Sequence, residues 1–166
     1  MIENFKDLMS KIPSCVGVIV FESDSEIGAC TISSFVSISV EKGYEAIIFT
    51  LKPDSHTGRE IKSLKNFSIS ILMSDQSDIA KLAGSSSTKN EFQEVLSSKV
   101  ERNRNDVLVL SGAFMTFVLK FSDAYNMGNS EVYVCQVLSG ECNSIIDNLP
   151  MVYFDRSFTT IQRVHQ

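Results

Sequence analysis

This chain has few side chains suited to acid–base or metal chemistry. Its 166 residues include two histidines, His56 and His165, and no tryptophan. The four cysteines, Cys15, Cys30, Cys135 and Cys142, are dispersed, without a Cys-x-x-Cys pair or a nearby histidine. That spacing excludes zinc ribbons, zinc fingers and thioredoxin-like sites, so the cysteines read as buried free thiols and no metal is expected. A Ser-His-Asp triad fails on the same shortage, since it needs a buried, oriented imidazole and His165 stands next to the last residue. Basic charge is also scarce. Fifteen Lys and Arg against 20 Asp and Glu give a net charge of −5, a field that repels nucleic acid and anionic membrane. No apolar run is long enough to span a bilayer, and residues 1–7 lack the basic start and apolar stretch of a secretion signal. A reducing cytoplasm is the expected compartment. An enzyme built from this set has to borrow its chemistry.

Gly and Pro number only 8 and 3, in a chain that is 43% hydrophobic and 21% charged. Collagen-like and disordered classes are excluded, and one globular domain over residues 1–166 is expected. Phe5, Leu8, Met9 and Ile12 recur at helical spacing and predict a short amphipathic helix from about Ile2 to Ile12, ended by Pro13. Val16 to Glu22, the turn residues Ser23 to Glu26, and Ile27 to Ile32 read as a hairpin. Val36, Ile38 and Val40 alternate with Ser37 and Ser39, which predicts a half-buried strand, and Ala46 to Leu51 reads as a central one. Helical spacing returns at Thr57 to Lys65, with Asp54, Ser55 and Thr57 as capping candidates. Phe67 to Leu72 reads as strand and Ile79 to Ala83 as a short helix, with Gly84 to Thr88 as a surface loop. A further helix near Phe92 to Val100 is expected to bury Phe92, Val95 and Leu96, ahead of a polar flank from Lys99 to Asn105. Strands at Val107 to Leu110, Ala113 to Phe121, Val132 to Leu138 and Met151 to Phe154 are divided by Gly112, Gly128 and Gly140. The pattern is mainly β with helical additions and points to an antiparallel, Greek-key-like barrel, closed or nearly so.

Dinucleotide-fold, P-loop and zincin motifs are missing, and two polar clusters remain at strand ends. Thr31-Ile32-Ser33-Ser34-Phe35 is either a serine-rich turn or a set of donors for the polar edge of a planar ring. Lys52-Pro53-Asp54-Ser55-His56-Thr57-Gly58-Arg59 carries a strand end into a helix start. It is either an ordinary N-cap or a phosphate seat built from Lys52, Ser55, Thr57, Arg59 and helix N–H groups.

Taken with their surroundings, these segments resemble the flavin reductase family. The similarity rests on Met9-Ser10-Lys11-Ile12-Pro13 before Val16 to Val20, on Gly28 to Ser39, and on Ser55-His56-Thr57 followed by Ile61 as an S-x-T-x-x-x-I element. The spacing of Thr-x-Ser-Ser-Phe before Ser-x-Thr agrees with it. The resemblance implies an FMN-binding split β-barrel, a homodimer with flavin at the subunit interface, and transfer of a hydride from NADH or NADPH to FMN or FAD. Reduced flavin would then pass to a partner monooxygenase. It further implies that Cys30, Thr31, Ile32, Ser33 and Ser34 lie by the flavin ring or ribityl chain. Lys52, Ser55, His56 and Thr57 would lie by the phosphate. Hydride transfer between two stacked rings is cofactor chemistry, so no catalytic side chain is assigned. The chain departs from the family pattern in three places: Ser130 replaces the His of a G-D-H-like segment, Cys15 a Gly, and Ser70 an Asn. The absent His bears on nicotinamide binding more than on flavin binding, so a flavin carrier without efficient turnover is the alternative reading.

Overall fold

Runs of β-branched and aromatic residues separated by short turns give this chain its strands, and the pairing of those strands builds a site at their ends. The computed structural model describes residues 4–24, 26–85, 89–143 and 149–162. Helix α1 (Phe5–Ser10) and the short strand β1 (Ser14–Cys15) precede the hairpin of β2 (Gly17–Glu22) and β3 (Ile27–Ile32). Next come β4 (Val36–Ser39), β5 (Ala46–Leu51), α2 (His56–Ser63), β6 (Phe67–Ile71), α3 (Ser77–Gly84) and α4 (Lys89–Ser97). The remainder holds β7 (Val100–Arg102), β8 (Leu108–Leu110), β9 (Met115–Met127), β10 (Ser130–Cys142), β11 (Met151–Phe154) and β12 (Ser157–Thr160). Seven strands form one antiparallel sheet in the order β3-β2-β6-β9-β10-β5-β4. Among the described residues no pairing joins β3 to β4, so the sheet keeps two edges. A three-stranded sheet, β1-β11-β12, and the pair β7-β8 complete the β structure.

Strand β2 shows why Val16 to Phe21 is apolar without alternation. Ile19 and Phe21 enter one core with Phe49, Ile61, Phe67 and Tyr133, while Val18 and Val20 enter a second with Ile79, Leu110 and Met151. A strand buried on both faces reads as a continuous hydrophobic run. The segment 46–51 is second from a sheet edge rather than central, and only alternate residues, Ile47, Phe49 and Leu51, are buried.

Several expectations are corrected. Strand β4 exists, but its apolar side faces out: Val36, Ile38 and Val40 are 54%, 52% and 84% exposed. Phe35 takes the core-facing phase instead, with its ring 3.2 Å from where a Cβ on Gly17 would stand. Only Cys135 is buried; Cys30 is half-buried, and Cys15 and Cys142 are exposed near strand ends. In α4, Leu96 is fully buried, Phe92 half-buried and Val95 exposed. Helix α1 is shorter than expected and buries none of its residues. The polar flank contains β7, paired with β8, and β11 pairs with a further strand, β12. Gly140 is a paired residue inside β10 facing Phe117, whereas Gly112 and Gly128 do make turns, at φ 66° and 67°. The expectations for Ile2, Ser25, residues 86–88 and His165 lie outside the described residues.

Candidate functional site

The strand β5 ends at Leu51, and Pro53 with Asp54, at φ 56°, turns the chain into α2. Ser55 is the N-cap: its backbone is extended and its Oγ accepts from Gly58 N–H at 3.1 Å. The N–H groups of His56 and Thr57 lie in the first turn, where a helix supplies no acceptor, so they remain as donors. Arg59 is folded back, its guanidinium donating to the Asp54 carbonyl. His56 contacts the Glu26 carboxylate, which stands in the turn between β2 and β3, and its Nδ1 lies 3.8 Å from Glu60.

Across from this helix start runs β3. Thr31 Oγ1 donates to the Ala80 carbonyl in α3 at 2.7 Å. Its proton is thereby committed, and the oxygen's lone pairs are what Thr31 offers a ligand. Gly28 is needed for close packing, since a Cβ there would stand 2.0 Å from the Phe21 ring. That ring in turn meets His56 edge-on at 6.0 Å between centroids. Burial raises the pKa of the Cys30 thiol, partly offset by a hydrogen bond with Thr57, so the thiol stays neutral near pH 7.

These elements enclose an open cleft of about 750 Å³ between β3, the start of α2, α3 and α4. Five of the sequence-derived residues line it: Cys30, Thr31, Ser55, His56 and Thr57. The other four stand elsewhere. Ile32 is buried in the core at 5% exposure. Ser33 and Lys52 are exposed and do not line the cleft. The Ser34 hydroxyl is engaged by β5, accepting from Thr50 N–H at 3.2 Å and Thr50 Oγ1 at 2.9 Å and donating to the Thr50 carbonyl at 3.3 Å. Ser130 pairs with Met127 at the β9–β10 hairpin and is also outside the lining.

The sequence did not single out the apolar and amide part of the wall: Phe21, Ala83, Phe92 and Gln93. The Gln93 side chain brackets Ile27, accepting from its N–H at 3.2 Å and donating to its carbonyl. A glycine inside a strand, Gly28, was the available signal for a close approach there; nothing local marks Gln93. Among the described residues no group of three His, Cys, Asp or Glu side chains gathers as a metal site, and no helix is long and apolar enough to cross a membrane.

The arrangement offers a slot with aromatic and small apolar walls, neutral hydroxyls, and a helix N-terminus at one end. Its size falls within the roughly 300–1,000 Å³ of ordinary small-molecule sites. A planar heterocycle with a polyhydroxyl chain and a terminal phosphate matches that donor set.

Residues 9–162 match the family described as flavin reductase like domain. A comparison with curated proteins returns no match. Among solved structures, BorF, the flavin reductase component of a bacterial two-component tryptophan halogenase, superposes with a TM-score of 0.84 at 20% identity, over 97% of this chain and 98% of that one. The NADH:FAD oxidoreductase SgcE6 of Streptomyces globisporus C-1027, in complex with NAD and FAD fragments, gives 0.82 at 15% identity, covering 95% and 90%. The styrene monooxygenase flavin reductase of Pseudomonas putida S12 gives 0.83 at 14%, covering 98% and 99%. The shared fold is the split barrel expected from the sequence.

Proposed function

The chain belongs to the flavin reductase-like family, and from that membership we propose that it is an NAD(P)H-dependent flavin reductase whose β3–α2 cleft holds FMN or FAD. The observation that carries the reading is the convergence of Thr31, Ser55 and Thr57 with the first turn of α2 on one cleft. Held there, flavin would supply the hydride-accepting redox chemistry that this chain's side chains lack.

Each residue's part follows from its surroundings. Ser55, Thr57 and the free N–H groups of the first turn bind the phosphate end by charge-assisted hydrogen bonds. Thr31, its proton held by Ala80, accepts from a donor on the ring edge or ribityl chain. Phe21 and Phe92 supply apolar wall and exclude water. Cys30 packs as a neutral thiol. No side chain is required to move a proton.

The proposal extends to a single domain in the cytoplasm that acts as a homodimer and delivers reduced flavin to a monooxygenase. Support for the dimer comes from an apolar patch on the outer sheet face. Val36, Ile48 and Val134 stand in cross-strand register, beside Ile38, with Val132 opposite Tyr125 in the adjoining strands. Exposed patches of this kind mark interfaces.

Adding NADH or NADPH to the protein with FMN or FAD, without oxygen, tests the activity. The expected result is catalytic bleaching of the visible flavin band; a band that persists with both donors overturns it. Tight flavin retention through gel filtration without bleaching is the outcome of the carrier reading, which Ser130 at the family histidine position favours.

A further inference from the structure

We propose that Tyr133, a core residue of β10, is a positioning residue for the phosphate end of the cleft and acts through Gly58. The inference rests on the flavin reading above and concerns what fixes the first turn of α2.

Tyr133 is fully buried and its ring lies parallel to Phe49, with centroids 5.3 Å apart and planes 1° from parallel. The hydroxyl is therefore delivered to one place. It donates to Glu131 Oε2, and the other carboxylate oxygen accepts from Lys62 Nζ at 2.7 Å. Lys62 Nζ also stands 5.2 Å from the centre of the Tyr133 ring. Lys62 belongs to the last turn of α2, so two residues of β10 grip that end of the helix.

The first turn meets the same tyrosine. A Cβ built on Gly58 would lie 2.2 Å from Tyr133 Oη, 3.1 Å from its Cζ, and 2.9 Å from Ser55 Oγ. Gly58 is buried in regular helix, outside the positive-φ region, so the position demands space rather than a special conformation. Its N–H is the donor that Ser55 Oγ accepts. Ser55 and Thr57, the two hydroxyls at this end of the cleft, both precede it within three residues and are carried by the same turn. Lifting that turn off β10 moves both. Glu131 and Tyr133, two apart on β10, thus hold α2 at both ends, and the hydroxyl of Tyr133 sets how closely the phosphate donors approach the sheet.

The experiment compares four full-length proteins by flavin fluorescence titration with FMN and with riboflavin: wild type, Gly58→Ala, Tyr133→Phe and the double variant. A misplaced set of charge-assisted donors predicts that Gly58→Ala weakens FMN by about tenfold and riboflavin by less than about threefold. Tyr133→Phe alone takes away that spacer and weakens FMN by about threefold or more with riboflavin changed less, since the ring still packs and only the hydroxyl is lost; unchanged FMN affinity in this variant overturns the proposal. In the double variant the added methyl takes the place of the missing hydroxyl against β10, the approaches to Ser55 Oγ and the ring Cζ at 2.9 and 3.1 Å remain, and FMN affinity recovers by about threefold or more from that of Gly58→Ala. A general loss of packing would weaken both flavins together and would not be rescued by a second core substitution. Wild-type FMN affinity in Gly58→Ala, equal losses for both flavins, or a double variant as weak as Gly58→Ala overturns the proposal. If Gly58→Ala does not fold, the double variant decides: folding with FMN affinity within about tenfold of wild type supports it, and weaker binding or failure to fold overturns it. A wild type that binds neither flavin counts against the flavin reading itself and is distinguished at the first titration.

Discussion

Glu131 is a carboxylate with 8% of its surface exposed, and its partners decide its titration. The hydrogen bond from Lys62 and then that from Tyr133 hold its carboxyl below the ordinary carboxylate range, against the opposing effect of desolvation. Its folded pKa is thus depressed from an unfolded value of about 4.3. Stability from this group is present above that value and is lost as pH falls through the folded pKa. The melting temperature of wild type should therefore exceed that of Glu131→Gln at pH 6 to 7, about two units above the unfolded value, and the gap should narrow below about pH 4. A gap of the same size at pH 7 and pH 3, on either side of that value, would contradict the assignment. At this scale the sequence was partly legible. Ser55 announces itself as a cap because a helical pattern follows directly. Glu26 and Gln93 do not, since their contacts with His56 and Ile27 span 30 and 66 residues. Ser34 shows the converse: a hydroxyl placed in a binding segment by its neighbours is engaged by Thr50 across the sheet.

Helix α4 docks on the edge strand β3 partly through one amide, with Gln93 occupying the N–H and carbonyl of Ile27 as a further strand would. Replacing Gln93 by Ala removes two hydrogen bonds and should cost about 2 kcal/mol of local stability. Hydrogen exchange reads this directly: the Ile27 amide should exchange about tenfold or more faster, at about 1.4 kcal/mol per tenfold. Unchanged protection there would show that the bracket contributes nothing to holding the edge. Strand existence was legible from composition, and strand phase was not. Alternation in residues 36–40 gives period two, and it cannot say which set faces the core once Phe35 competes for the inner position. The length of β9 and β10 was hidden for a related reason. Each runs 13 residues; the end of β9 pairs with the start of β10 and the end of β10 with the start of β9, and these end segments carry mostly half-buried or exposed side chains, so no hydrophobic signal marks them.

For the whole molecule, the outward apolar face of β4 and its neighbours predicts self-association. A carboxylate placed there by Val36→Asp would meet desolvation on assembly, raising the dimer dissociation constant by about a hundredfold, near 3 kcal/mol. Sedimentation equilibrium checks this, and a wild type that stays monomeric at high concentration would rule the dimer out. The architecture as a whole was legible because segment order, turn chemistry and the whole-chain resemblance agreed. The strand order was not, since pairing is a long-range property. That order also bears on synthesis. Ile19 waits for Ile69 as its cross-strand partner, Ile69 for Phe117, and Phe49 for Tyr133. A nascent chain emerging from the ribosome can close the β2–β3 hairpin early, but β2 keeps bare apolar surface until β11, whose Met151 shares the core of Val18 and Val20, has left the tunnel. During that interval Val16 to Phe21 is the stretch a holding chaperone would meet.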